Sequence, residues 1–201
     1  MRSSPNIPVF DGHNDSLTAD GHERLSDGKP DGHLDLPRMR AGGVRAAIFA
    51  AFTRSEGDYH ATVARDDGVL EFQPAPPVAH EHAAAVTNAI VGRLLAMERI
   101  GAIKLARQIA DIDRAAADVD APPTAIMHFE GAEPIDRSLD ALYAYHAAGL
   151  RSLGLVWSRP NIFANGVPFL FPSSPDTGPG LTELGIKLTK RCADLGILID
   201  L

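Results

Sequence analysis

Short, almost wholly apolar runs alternate along this chain with longer segments that have helical spacing. Residues 44–52 (VRAAIFAAF) carry a single charge, which is typical of a strand buried on both faces in a parallel sheet. Strand-then-helix order of this kind predicts a parallel α/β architecture, in a single domain that includes residues 1–201. The predicted strands are 9–15, 44–52, 124–131, 150–157 and 197–201. The predicted helical segments are 78–113, as one long or two short helices with a break near Gly101, then 138–148 and 181–195.

Polar side chains of functional types follow several of these strands. His13 and Asp15 end the first, Glu130 ends the third, and the turn 157–161 follows the fourth. Neither a dinucleotide-binding glycine motif nor a phosphate-binding loop follows any strand, which disfavours a doubly wound nucleotide-binding fold. Catalytic groups of a (β/α)8 barrel lie at the carboxyl ends of its strands. The sequence therefore predicts a TIM-type barrel of which about the first five strands are present.

Composition and charge limit the kinds of partner that this chain is expected to bind. The net charge is -7 and the basic residues are scattered, which argues against a nucleic-acid partner and favours a small molecule. Cys192 is the only cysteine, so any metal must be bound by histidine and carboxylate side chains. We find neither a secretory apolar region near the N-terminus nor a window approaching a membrane span. We therefore expect a cytoplasmic protein without a membrane partner.

His13 and Asp15 form the first candidate metal site. Residues two apart in a strand point to the same face, so an imidazole and a carboxylate at this spacing can bind one divalent ion. The alternative for this spacing alone is a surface turn. His33 and Asp35 repeat the spacing in the loop 16–37, where a hydrogen-bonded loop is favoured over a metal site. His128 shares a face with Glu130. It is either a hydrogen-bond donor near the metals or a core histidine with its hydrogen bonds satisfied, and the core histidine is favoured.

Six segments, distributed over nearly the whole chain and in the same order, are similar to the membrane dipeptidase family, the M19 metallopeptidases. The resemblance implies a metal-dependent barrel related to the amidohydrolases, with a two-zinc site that hydrolyses dipeptides. It further implies that His13 and Asp15 bind one metal and that Glu130 is the catalytic carboxylate that bridges both. The segments are FDGHND (10–15), GHLDLPRMRAGGV (32–44), MHFEGAEPI (127–135), AGLRSLGLVWSRPNIFANGVPF (148–169), GLTELG (180–185) and LGILIDL (195–201).

The chemistry implied by this resemblance is hydrolysis by a metal-bound hydroxide. Two Zn²⁺ ions that share a carboxylate and a water lower the pKa of that water, while one ion polarises the scissile carbonyl. Trp157 stands where better-studied members have a histidine that polarises the substrate carbonyl, which leaves the substrate open. Arg159 is predicted either to contact a substrate carboxylate or to pair with a neighbouring acid at the surface. Asn161, in the same turn, is a further candidate substrate contact.

The resemblance also implies that histidines for the second metal follow the fifth and sixth strands, beyond Leu201. Five strands cannot close an eight-stranded barrel, so we expect a fragment of a longer enzyme or a half-barrel that seeks a partner, for example as a homodimer. Three functions follow from the sequence. The first is a zinc-dependent dipeptidase, the second a non-catalytic half-barrel with at most weak metal binding, and the third an amidohydrolase acting on another small amide.

Overall fold

The main sheet of the molecule is parallel and is built from strands distributed along the whole chain. The computed structural model describes residues 7–55, 62–64, 66–68, 70–72, 76–167, 170–172, 174, 176 and 178–201. The strands within these ranges are β1 (Val9–Asn14), β2 (Val44–Ala51), β3 (Thr62–Ala64), β4 (Leu70–Phe72), β5 (Lys104–Leu105), β6 (Thr124–Glu130), β7 (Leu150–Gly154), β8 (Leu170–Phe171) and β9 (Leu198–Asp200). The α-helices are α1 (Leu36–Ala41), α2 (His80–Arg99), α3 (Ile109–Ala117), α4 (Asp140–Ala148) and α5 (Glu183–Leu195).

The order of the main sheet is β1-β2-β6-β7-β9, and every neighbouring pair in it is parallel. These are the five strands that the sequence predicts, in the expected order, and they form part of a barrel. The prediction of a TIM-type fold with five strands present is therefore confirmed. A short strand, β5, pairs with the first two residues of β6, before β7 begins its own pairing at Met127.

Alternation along β6 decides which side chains enter the core and which line the barrel. Ala125, Met127 and Phe129 are fully buried in the hydrophobic core, where the Phe129 ring lies 4.8 Å from the Tyr145 ring of α4. Side chains at alternating positions of a strand point to opposite faces. His128 and Glu130 therefore point away from the helices, toward the interior of the barrel.

The segment between β2 and β6 departs in part from the prediction. A break lies at Gly101, whose φ is +74°, and it separates two helices. Ile103 and Leu105, which fit the helical spacing, belong instead to the region of β5, because Leu105 pairs in parallel with Ala125. Over so few residues, the sequence pattern of buried apolar side chains is the same for a short strand as for a helix, so the pattern alone does not distinguish them.

Three further features differ from the prediction. The fourth predicted strand ends at Gly154 rather than at residue 157. The helix predicted to begin at residue 138 begins at Asp140: its N-cap is Leu139 with a φ of +68°, and Asp136 Oδ1 accepts the Ala141 backbone N–H at 2.8 Å. A small antiparallel sheet, β3-β4-β8, forms in two segments that lie outside the predicted strands and helices.

Among the described residues, no helix combines the length and the apolar character that a membrane crossing requires.

Candidate metal centre

The end of β1 is shaped by its own polar side chains. The register between β1 and β2 shifts between Asp11 and Asn14, where Asp11 Oδ1 accepts the His13 backbone N–H at 3.2 Å. Asn14 Nδ2 donates both to Asp11 Oδ2, at 3.0 Å, and to the Ile48 carbonyl of β2, at 3.1 Å. Although the strand ends at Asn14, His13 Nε2 still lies 3.7 Å from Asp15 Oδ1. The kinked strand end therefore presents both side chains on one side.

Glu130 completes a three-residue cluster from the carboxyl end of β6. Its Oε2 lies 3.8 Å from His13 Nε2, and one donor atom each of His13, Asp15 and Glu130 lies within 4.8 Å of the others. Tetrahedral ligands about 2.1 Å from a zinc ion stand roughly 3.4 Å apart. The observed separations exceed hydrogen-bond length but approach that spacing, so the residues fit a divalent ion.

The electrostatics of Glu130 also suit a cation. Burial raises the pKa of the Glu130 carboxyl above its ordinary value, and the negative charge of Asp15 raises it further. Electrostatic interactions with His13 and Arg159 act in the opposite direction. Two carboxyl groups whose charges repel across a short distance are stabilised by a cation placed between them. The cluster is therefore an electrostatically favourable position for a metal.

Beside these donors lies an open cavity of about 260 Å³. Asp15 and Glu130 form part of its wall, so a molecule in the cavity is in direct reach of their carboxylate oxygens. Other parts of the wall are aromatic and cationic, and the Trp157 ring packs edge-on against Phe52 at 5.2 Å. The remaining lining residues are Thr18, Ala19, Phe52, Arg54 and Trp157.

Arg159 pairs with an acid, as one of the two predicted alternatives has it, but the pair lies inside the protein. The side chain is fully buried, and its Nε donates to Glu133 Oε1 at 2.9 Å, so the predicted location at the surface is wrong. Its other nitrogens donate to Ser55 Oγ and to the Thr53 carbonyl, and its Cζ lies 4.9 Å from the centre of the Phe52 ring. In this arrangement the guanidinium has no exposed surface for a substrate carboxylate. Its positive charge still affects the site, because it lowers the pKa of the Glu130 carboxyl.

Asn161 lies apart from the metal-binding donors. Its Nδ2 donates to the Leu155 carbonyl at 2.8 Å, and its Oδ1 accepts the backbone N–H groups of Phe163 and Ala164. It lines a second cavity together with His80 and other residues that do not line the first. The side chain thus stabilises its own turn, and the prediction of a substrate contact receives no support from this position.

Asp35, which repeats the histidine-aspartate spacing with His33, has a structural role. It is buried and caps α1 by accepting the backbone N–H of Arg38 at 2.8 Å. It also accepts the backbone N–H of Lys29, in the preceding loop, at 3.0 Å. Although burial alone would raise the pKa of Asp35, these hydrogen bonds and the Arg38 charge lower it. This agrees with the interpretation of an ordered loop.

His128 lies directly beside the cluster. The side chain is 1% exposed, its Nδ1 lies 2.8 Å from Ser152 Oγ of β7, and its ring meets the His13 ring edge-on at 5.6 Å. Its Nε2 lies 3.7 Å from Asp200 Oδ2, and His13, His128 and Asp200 form a second group with donor atoms within 4.8 Å. Sequence reasoning missed Ser152 and Asp200, although both stand where alternation along β7 and β9 predicts side chains facing the barrel interior.

Known proteins with similar sequences and folds indicate the family of this chain. Residues 4–201 match the model of the membrane dipeptidase family, peptidase family M19. The chain is 33% identical to an uncharacterized protein of the PQQ-III 3′ region of Acinetobacter calcoaceticus, over 96% of this chain and 62% of that protein. Among solved structures, it resembles dipeptidase AC, a metallopeptidase of family M19, with 44% identity and a TM-score of 0.85 over 97% of this chain.

A second solved structure of equal similarity contains a bound ligand. It is a metallopeptidase from Rhodobacter sphaeroides in complex with a phosphinate mimic of the dipeptide L-Ala-D-Ala, with 43% identity and a TM-score of 0.85 over 96% of this chain. The chain spans 57% and 58% of the two solved chains and 62% of the Acinetobacter protein. Because the family match extends over nearly all of its residues, the chain belongs to the membrane dipeptidase family, peptidase family M19.

Proposed function

We propose that this chain carries the first metal-binding half of a zinc-dependent dipeptidase. The single observation that carries the proposal is the cluster of His13, Asp15 and Glu130, with donor atoms within 4.8 Å of one another beside an open cavity. One imidazole nitrogen and two carboxylate oxygens form a donor set that Zn²⁺ accepts in hydrolases. In this proposal His13, Asp15 and Glu130 would hold the ion, with Glu130 as the catalytic carboxylate.

Each residue of the site contributes a distinct property. A bound zinc supplies Lewis acidity, which lowers the pKa of water and polarises a scissile carbonyl. Glu130 lies at the end of a fully paired strand, between β2 and β7, so its carboxylate is held in place by the sheet. Gly131 follows it with a φ of +104°, a backbone conformation that glycine adopts without strain. The chain can therefore turn away immediately after the carboxylate and leave the cavity open.

The cavity wall suits a small peptide substrate. Phe52 and Trp157 offer apolar surface beside Asp15 and Glu130, and the exposed Arg54 offers a cation at the same cavity. A dipeptide carries a side chain, a scissile amide and a free carboxylate, which match these three features in chemical type. Arg54 is better placed than the buried Arg159 to attract the carboxylate, since its side chain is exposed.

Zinc titration of the purified chain tests the metal-binding part of the proposal. We expect one Zn²⁺ per chain, and Glu130→Gln should weaken its binding by at least about 10-fold, because the amide removes a charged ligand. The matched control is Glu81→Gln, an exposed carboxylate at the start of α2, which should leave the affinity unchanged. Absence of zinc binding, or equal affinities for wild type and Glu130→Gln, would contradict the proposal.

Turnover separates the three functions. If the chain is a zinc-dependent dipeptidase, it should hydrolyse L-Ala-D-Ala. The hydrolysis should stop when a chelator removes the metal and should resume when Zn²⁺ is added back. A chain that binds one ion but releases no amino acid would instead support the non-catalytic half-barrel, an alternative favoured by the chain's coverage of 57% of dipeptidase AC. Faster hydrolysis of a lactam or an N-acyl amino acid than of dipeptides would support the amidohydrolase alternative.

A further inference from the structure

His128 joins the metal-binding cluster to the neighbouring strand. It stands two residues before Glu130 on β6, on the same face of the strand, and only 1% of it is exposed. Its Nδ1 is hydrogen-bonded to Ser152 Oγ of β7, at 2.8 Å, and this bond fixes the rotation of the imidazole about its χ2 angle. A buried imidazole fixed in this way is a rigid surface against which a neighbouring side chain can pack.

That neighbouring side chain is His13. The two rings meet edge-to-face, with centroids 5.6 Å apart and an interplanar angle of 71°. Edge-to-face contact between aromatic rings is directional, so it restricts the orientation of the His13 ring. The His13 side chain is 37% exposed, and its Nε2 must point at Asp15 and Glu130 if the three are to share an ion. Restricting the orientation of this ring therefore helps to preorganise the cluster.

We propose that His128 is a positioning residue for the metal ligand His13, with Ser152 as its anchor. His128 belongs to the group His13, His128 and Asp200, whereas Asp15 and Glu130 belong to the group His13, Asp15 and Glu130. His13 is the one residue that these two groups have in common. His128 therefore acts on the cluster through His13. This inference rests on the proposed function, because it requires that the cluster of His13, Asp15 and Glu130 binds a metal.

The test is a double-mutant cycle read out by zinc affinity. His128→Phe keeps an aromatic ring but removes the hydrogen bond to Ser152, and Ser152→Ala removes the same bond from the other side. We expect each change to weaken Zn²⁺ binding by on the order of 10-fold to 100-fold, the usual cost of losing such a partner. The double variant should bind no more weakly than His128→Phe alone, because the hydrogen bond that Ser152→Ala removes is already absent from His128→Phe.

Met127→Ala is the matched control, since Met127 is the adjacent buried residue on the opposite face of β6. It should lower the free energy of unfolding but leave zinc affinity unchanged, which separates positioning from general loss of stability. The absorption spectrum of the chain saturated with Co²⁺ should be the same for wild type and His128→Phe, because the ligands stay the same.

Three results would overturn the inference. They are unchanged zinc affinity in both single variants, effects that add in the double variant, and a shifted Co²⁺ spectrum in His128→Phe, which would make His128 a ligand itself. A wild-type chain that binds no metal would instead show that the proposed function has failed, so the two failures are distinguishable.

Discussion

Glu98, near the end of α2, shows how one carboxylate can carry a pH-dependent part of the stability. Arg107 donates to both of its oxygens, at 2.8 and 2.7 Å, and the Leu105 backbone N–H donates at 3.0 Å. The hydrogen bonds from Arg107 are the main cause that lowers the pKa of Glu98 from 4.5 to about 2. Because the pKa is lowered on folding, the stabilisation is complete above pH 4.5 and is lost as the pH falls toward 2.

Glu98→Gln should therefore destabilise the chain by about 1–3 kcal/mol at pH 7, the usual contribution of a charged hydrogen bond. At pH 3.5 the difference from wild type should be smaller by about 1 kcal/mol, since part of the stabilisation of the wild type is already lost. Urea unfolding at both pH values measures the two differences. The exposed Glu81→Gln serves as the control, and an equal difference at both pH values would contradict the assignment.

Single residues also show what could be predicted from the sequence about the site. The spacing of His13 and Asp15 and the position of Glu130 at a strand end are local patterns, and the structure brings these three side chains together. The partner of Arg159 is Glu133, 26 positions away, and such a contact depends on how two turns fold over the same strands. Sequence reasoning cannot choose between a substrate and a buried acid for that guanidinium, because both offer it a carboxylate.

At the scale of elements, α5 is fixed by a close approach of its first turn to the chain at Phe163. Gly185 lies in that turn, and a Cβ added there would stand 2.0 Å from the Phe163 carbonyl oxygen. Gly185→Ala should therefore destabilise the chain by on the order of 1–3 kcal/mol, even though alanine favours an isolated helix. Thermal and urea unfolding measure the change.

Gly92 of α2 is the matched control for this substitution, because an added Cβ there meets no atom within 4 Å among the described residues. Gly92→Ala should stabilise the chain by up to about 1 kcal/mol, the difference in helix propensity alone. If both variants change stability in the same direction, the close contact at Phe163 does not constrain α5.

Elements differ in how well the sequence predicts them. Long apolar runs such as β2 and β6 are confirmed, because burial on both faces requires a continuous hydrophobic sequence. The prediction of a helix at the two-residue strand β5 is wrong, since the strand depends on pairing with Thr124 and Ala125 rather than on its own residues. The hydrogen bond from the Ala141 backbone N–H to Asp136 is unpredictable for a similar reason: Asp136 lies four residues before α4 and reaches it only through a particular turn.

For the whole molecule, the main consequence of five strands is that the sheet has two edges. The strands β1 and β9 stand at the ends of the sheet order in the described part of the chain, and each pairs there on one side only. Both expose apolar side chains, with Phe10 48% and Leu198 61% exposed. Unpaired strand edges that carry apolar side chains favour pairing with another chain.

We therefore expect the purified chain of 201 residues to self-associate, with an average mass in sedimentation velocity that rises with concentration in the micromolar range. Leu198→Lys should shift the equilibrium toward the monomer, because a lysine on an edge strand opposes pairing and is costly to bury between two chains. Ile109→Lys provides the control: Ile109 is 75% exposed but lies on α3, which packs against the central strands β2 and β6. A monomer at every concentration, or an equal shift caused by both lysines, would show that the edges of the sheet do not drive association.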